Sequence, residues 1–300
     1  MTCTIDALGL ARRMETCSDL TVLDVLLPEH YATHHIPGAV NACVYEIAFL
    51  DTVAALLPDK KVPIVVYDTS RRSQASACAA RKLESKGYLD VCELAEGLEG
   101  WTAAGLPLEP KGARIPDEPR LIDRHYRIDS EKSLVTWTGR SLSGRHTGNL
   151  AVSEGELTIA EGQLTGGRIV IDMKSISNVD LQGADFRNLL ISHLLSEDFF
   201  EVSRYPSAEA TLKGWRPIPD STPGTANYEI DALLTIKGIT HTVRFAALIV
   251  PQADGIKAQA TLDIDRTAWN VTYGSGKFFE RLGMHLVNDI ITLEFFLVAL

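Results

Sequence analysis

The chain has 300 residues, 39 acidic against 29 basic side chains, a formal charge of -10 and 45% hydrophobic residues. That length exceeds what one ordinary core needs and suits two domains. The negative surface repels phosphate backbones and anionic membranes, so no nucleic-acid partner is expected. No apolar run reaches bilayer length, so the chain is not expected to span a membrane. The first residues lack a basic start, and their short apolar patch runs into Arg12 and Arg13, which reads as cytoplasmic rather than exported. The five cysteines are odd in number and scattered, and all lie at or before Cys92, so no disulfide framework is expected. No Cys-x-x-Cys or His/Cys cluster calls for zinc, and no metal is expected.

The hydrophobic period changes along the chain. Thr21–Val25 reads as a short strand, and Val62–Tyr67 is an unbroken apolar run of the kind buried on both faces of a parallel sheet. Ser73–Lys86 is predicted as a helix with Ala77, Ala80 and Leu83 on one face and Gly87 as its stop, and Val91–Leu94 is a further strand. Strands alternating with helices predict an open α/β sheet over residues 1–109. The four prolines between Pro107 and Asp123 exclude a helix or central strand there, and residues 110–124 are predicted as a linker. Beyond it the period becomes two. Tyr228, Ile230, Ala232, Leu234 and Ile236 alternate with outward positions, as do Val243 to Ile249, Ala258 to Ile264 and Ile291 to Leu297. Many strands separated by turn signals predict an antiparallel sandwich or barrel over 125–300. One helical insert, Ala184–Leu195, carries Phe186, Leu189, Leu190 and Leu194 at helical spacing.

Val22-Leu23-Asp24-Val25 followed by His34-His35-Ile36-Pro37-Gly38-Ala39, and the closing Glu96-Gly97-Leu98-Glu99-Gly100-Trp101, resemble the rhodanese-like domain. The resemblance implies an open parallel sheet whose central strand delivers a cysteine to a loop at a helix N-terminus, where amides and the helix dipole stabilise a persulfide. Here the loop is Asp68-Thr69-Ser70-Arg71-Arg72-Ser73, and Asp68 stands where that cysteine is expected. A carboxylate cannot accept sulfane sulfur, so the domain is expected to be catalytically silent. Cys43, Cys78 and Cys92 read as packing residues. Two readings of the loop stand. Arg71, Arg72 and Ser73 could cradle an anion; or Ser73 caps the helix while the arginines are solvated or pair with Asp68. Asp68 would oppose a bound anion, which favours the second.

Tyr126-Arg127-Ile128-Asp129, Gly144–Gly148, Val170-Ile171-Asp172-Met173-Lys174, His193-Leu194-Leu195-Ser196-Glu197-Asp198-Phe199-Phe200, Lys237-Gly238-Ile239-Thr240-His241 and Trp269-Asn270-Val271-Thr272-Tyr273-Gly274 together resemble the YceI-like domain. The resemblance implies a lipocalin-like barrel holding a polyisoprenoid, quinone-type chains included, in an apolar tunnel, with pairing of barrels into a homodimer as a further expectation. On the alternation alone, a ligand cavity and a filled core are equally good, and the resemblance favours the cavity. Lining candidates are Trp137, Phe186, Leu190, Leu194, Phe199, Phe200, Leu234, Phe245 and Phe295. His146, His193, His241 and His285 show no metal or triad spacing, and no cofactor beyond a bound isoprenoid lipid or quinone is expected. The expected function is carriage or sensing of that lipid beside a non-catalytic docking module. The alternative is a thiosulfate sulfurtransferase regulated by lipid.

Overall fold

The computed structural model describes residues 3–110, 120–252 and 254–300. It divides into two compact units, Met1–Asp117 and Glu118–Leu300. Most of the expected linker, 111–119, lies outside the described residues.

In the first unit the strands are β1 (Cys3–Ile5), β2 (Thr21–Asp24), β3 (Val40–Asn41), β4 (Ile64–Tyr67) and β5 (Val91–Leu94). Between and after them come α1 (Ala7–Thr16), α2 (Pro28–Thr33), α3 (Phe49–Leu56), α4 (Ala75–Ser85) and α5 (Gly97–Ala103). The strands form one sheet in the order β1-β5-β4-β2-β3, and every pairing is parallel. The central β4 is buried along its whole length because helices cover both faces. Ile64 and Val66 pack with Phe49, Val53, Ala79 and Leu83 of α3 and α4. Val65 and Tyr67, pointing the other way, pack with Leu10, Leu98 and Trp101 of α1 and α5. This is the open parallel sheet that the sequence predicts.

One expectation fails here. Cys3 and Cys92 form a disulfide. They are opposed Cα partners on β1 and β5, a neighbour relation across 89 residues of sequence that the fold alone creates. Cys17, Cys43 and Cys78 remain free.

In the second unit the strands are β6 (Arg124–Arg127), β7 (Leu134–Arg140), β8 (Arg145–Ala160), β9 (Gln163–Asp172), β10 (Ser207–Pro217), β11 (Tyr228–Ile236), β12 (Ile239–Gln252), β13 (Gly255–Asp265) and β14 (Ile290–Ala299). The helix α6 spans Ala184–Leu195, the range its spacing predicts. Strands β7 to β14 pair antiparallel around a ring that closes between β8 and β9, while β6 adds to the far half of β8. The result is an eight-stranded closed barrel with a helical insert. The inward sets are those of the sequence alternation: Tyr228, Ile230, Ala232, Leu234 and Ile236 are all buried. Residues 121–124, expected in the linker, belong to this unit. The Asp123 carboxylate accepts from the Glu161 and Gly162 amides at 2.9 and 2.7 Å, and Leu121 packs on the barrel core. The prolines that marked the linker end at Pro119, so the last residues of the predicted span had no breaker to keep them out.

Closing a loop of this length restricts the unfolded chain, so Cys3→Ser is expected to lower the first domain's stability by about 2–4 kcal/mol. Melting curves with and without reductant check this; coincident curves argue against the cross-link. Alkylation of the denatured, unreduced protein should label three cysteines.

Candidate functional site

Inward side chains of β7 to β11 and β14, together with α6 and the segment between β13 and β14, surround a cavity of about 390 Å³, within the ~300–1,000 Å³ common for small-molecule sites. A smaller space of about 110 Å³ lies further along the barrel and shares Leu234 with the first. Room exists because several inward positions hold alanine. Ala208 borders the larger space, and Ala210, Ala232, Ala247, Ala258 and Ala260 border the smaller one. Had large aliphatic side chains filled those positions, an eight-stranded barrel would have a solid core.

Trp137, Leu190, Leu194, Phe199, Phe200 and Leu234 line the larger cavity. Leu234, Phe245 and Phe295 line the smaller one. Phe186 lines neither, and this corrects the expectation. It is 72% exposed, because only the C-terminal half of α6 meets the barrel and its first turns stand in solvent. The corner after α6 is set by backbone bonds: the Phe200 amide donates to the Leu194 carbonyl at 3.1 Å and the Val202 amide to Leu195 at 3.0 Å. His193 stands edge-on to Phe199 at 4.9 Å and to Tyr273 at 4.6 Å, with Nε2 3.2 Å from the Asp198 carboxylate. On the opposite wall Trp137 Nε1 donates to the Ser177 carbonyl at 3.1 Å. A Cβ at Gly148 would lie 1.7 Å from that carbonyl, so only glycine lets this segment rest on β8.

Arg266 is the functional-looking residue that sequence reasoning missed. It borders the larger cavity yet is 2% exposed. Its Nε donates to the Asn288 carbonyl at 3.0 Å, and its terminal nitrogens donate to the carbonyls of Val271 and Val287. Burial pulls its pKa down, and the nearby Asp289 and Asp265 oppose that. With its donors spent on backbone carbonyls, it pins the segment between β13 and β14 against the cavity mouth. A lone arginine just past a strand gives no sequence signal for this.

In the first unit Asp68 follows β4 and is buried. Its Oδ2 accepts from the Ser76 amide in the first turn of α4 at 2.9 Å. Asp68 and Thr69 carbonyls accept from the Leu98 and Glu99 amides at 2.8 and 2.9 Å. Gly97, at φ +55°, permits this, since a Cβ there would sit 2.6 Å from the Asp68 carbonyl. Ser70 Oγ accepts from the Arg72 amide at 3.3 Å and Ser73 Oγ from the Ala75 amide at 3.2 Å, so the helix begins at Ala75 rather than Ser73. The arginines do not pair with Asp68. Arg71 and Thr69 are exposed, and Arg72 lies 3.9 Å from Glu99 with both side chains in solvent. The carboxylate thus occupies the helix amide that a bound anion would use. Cys43 is buried and Cys78 packs beside the core of α3 and α4.

Asp24, which ends β2, is wholly buried. Its Oδ1 accepts from the Leu26 amide at 2.8 Å and from Asn41 Nδ2 at 3.3 Å, while Oδ2 makes no hydrogen bond. Burial pushes its pKa up; the neighbouring Tyr67 hydroxyl, Leu26 amide and Asn41 offset this only in part. Among the described residues no three His, Cys, Asp or Glu side chains gather to hold a metal, and no helix is long and apolar enough to cross a membrane.

A closed antiparallel barrel around an apolar space defines the class of ligand-enclosing, lipocalin-like barrels. The family model for the YceI-like domain matches residues 126–299, more than half of the chain, and the chain belongs to that family. The model for the rhodanese-like domain matches residues 7–104. Among curated proteins, an HTH-type transcriptional regulator of Mycobacterium tuberculosis is 35% identical over 106 residues, 35% of this chain; the chain spans only 44% of that relative's length. Among solved structures, BcnA of Burkholderia cenocepacia is 22% identical, covering 58% of this chain and 99% of its own, with a TM-score of 0.45. A polyisoprenoid binding domain from Saccharophagus degradans is 14% identical, covering 58% and 97%, with a TM-score of 0.42.

The raised Asp24 pKa has a sign. The folded state holds this proton more tightly, so the contribution is complete below the unfolded carboxyl pKa of about 3.9 and is lost as pH rises through the higher folded value. Asp24→Asn keeps an acceptor for the Leu26 amide and does not ionise. Its first-domain melting temperature, relative to wild type, is therefore expected to climb as pH rises from the acid range towards neutrality. A pH-independent difference would contradict a raised pKa.

Proposed function

We propose that this protein binds and carries, or senses, an isoprenoid lipid of quinone type in the barrel, and that its rhodanese-like domain is a non-catalytic docking module. The cavity carries the first half of this reading. Its walls are mainly aliphatic and aromatic, with Arg140, Arg145, His146 and His285 at the larger space, and its inward alanines keep it open. Each methylene buried there contributes about 0.8 kcal/mol without any catalytic group. Membership of the YceI-like family supports an isoprenoid as the chain. Asp68 carries the second half. At the loop position where the rhodanese family places its sulfur acceptor, this chain has a buried carboxylate bonded to the Ser76 amide. No cofactor is needed for either role.

Mass spectrometry of a lipid extract from natively purified protein is expected to show a stoichiometric long-chain isoprenoid. Consistent absence of any long-chain lipid would sink the carrier reading. Ala260→Trp, which fills the smaller space, is expected to remove the lipid at a cost of about 1–3 kcal/mol in stability, with the fold retained. Thiocyanate formation from thiosulfate and cyanide is expected to stay at background. Turnover abolished by replacing a single cysteine would instead establish the lipid-regulated sulfurtransferase.

A further inference from the structure

Six of the large apolar side chains left exposed on the barrel unit belong to segments that border the larger cavity. Leu142, Phe186, Leu189, Phe278, Phe279 and Met284 are each between 45% and 72% exposed. They come from three segments far apart in sequence: the β7–β8 turn, the first half of α6, and the stretch between β13 and β14. Every one of these segments also reaches the larger cavity. Ser141 and Arg145 flank Leu142, Leu190 and His193 follow Phe186 and Leu189, and Tyr273 and Met284 belong to the third segment; all border the space. A β-bridge between Ser141 and Val287 ties the first segment to the third. The edge-on contact of His193 with Tyr273 ties the second to the third. We take these three linked segments, with their six exposed apolar side chains, as the rim of the cavity.

Single exposed apolar residues are ordinary on a soluble surface, but a contiguous set around a cavity mouth marks a contact site. Internal packing does not require Phe186 or Leu189, since the first turns of α6 stand clear of the core. Arg145, Arg187, Lys277 and Arg281, all exposed, lie in the same segments. Lys277 pairs with Asp265 and Asp289 and Arg187 donates to the Leu181 carbonyl, while the stems of Arg145 and Arg281 can lie along apolar surface with their cationic heads towards lipid phosphates.

We infer that this rim is a docking surface for a lipid bilayer, which it enters with its apolar side chains so that the ligand passes into the cavity without crossing water. The inference rests on the carrier reading above and names where the ligand is collected or delivered. The occupant is a bilayer because the rim is continuous with the cavity lining. A protein face seated on it would stopper the opening, whereas a bilayer is the store of a chain that water does not carry. With a net charge of -10, the protein suits a zwitterionic surface engaged by apolar insertion rather than an anionic one engaged by charge.

The test uses the full chain, phosphatidylcholine vesicles, and a long-chain polyprenol supplied either in those vesicles or in detergent micelles. Wild type is expected to sediment with the vesicles and to take polyprenol from both sources. The double variant F186D/F278D changes two exposed side chains and should bind vesicles and draw polyprenol from them roughly tenfold or more weakly. Its uptake from micelles should match wild type. The inference is overturned if wild type takes polyprenol from micelles yet stays in the supernatant, or if the double variant matches wild type on vesicles. A wild-type dimer that the double variant splits, without vesicle binding, assigns the rim to a second copy and also overturns it. Failure of wild type to take polyprenol from micelles removes the carrier reading itself.

Discussion

Closure of the second sheet between β8 and β9 is the constraint on which the barrel depends. An open sheet of this length would present two unpaired edges and one half-wet face. Joined into a ring, its inward side chains face only one another, and the period-two pattern becomes a continuous apolar column. Whether that column is solid or hollow is then decided by volume at a few positions. Ala247 and Ala260 oppose each other on β12 and β13, and Ala232 and Ala258 border the same space, so the room they leave adds up. Arg266 does the complementary work at the mouth, trading the cost of a buried charge for three carbonyl bonds that hold the β13–β14 segment in place.

The parts legible in sequence are those that depend on local period. The strands β11 to β14 and the helix α6 could be read from alternation and helical spacing, because one face of each must be buried whatever it packs against. What escaped depends on tertiary placement. Spacing put Phe186 on a face with Leu190 and Leu194, but it cannot say where along a helix contact with the barrel begins. The Cys3–Cys92 bond was hidden because three residues near the start of the chain gave too short a pattern to read as a strand beside β5. Arg266 was hidden because nothing in its neighbours announces burial.

The two buried aspartates of the first domain show how one residue type takes different parts in one sheet. Both stand at the carboxyl ends of adjacent parallel strands, β2 and β4. Asp68 accepts from a helix amide, which ties the end of β4 to α4. Asp24 leaves one oxygen without a partner, and its burial is tolerated by favouring the protonated form. The first joins a loop to a helix; the second adds a pH-sensitive element where β2 ends.

The bond between Cys3 and Cys92 also fixes how the first domain bears a pull. Strand β1 is an edge strand joined to β5 by three residue pairs, a short seam that tension on the preceding chain would otherwise shear apart. With the bond in place, the load passes through sulfur straight to β5, beside the central β4. The seam then has no independent breaking point, and a pulling experiment on the oxidised domain should record rupture of the sheet interior where the reduced domain would first shed its edge.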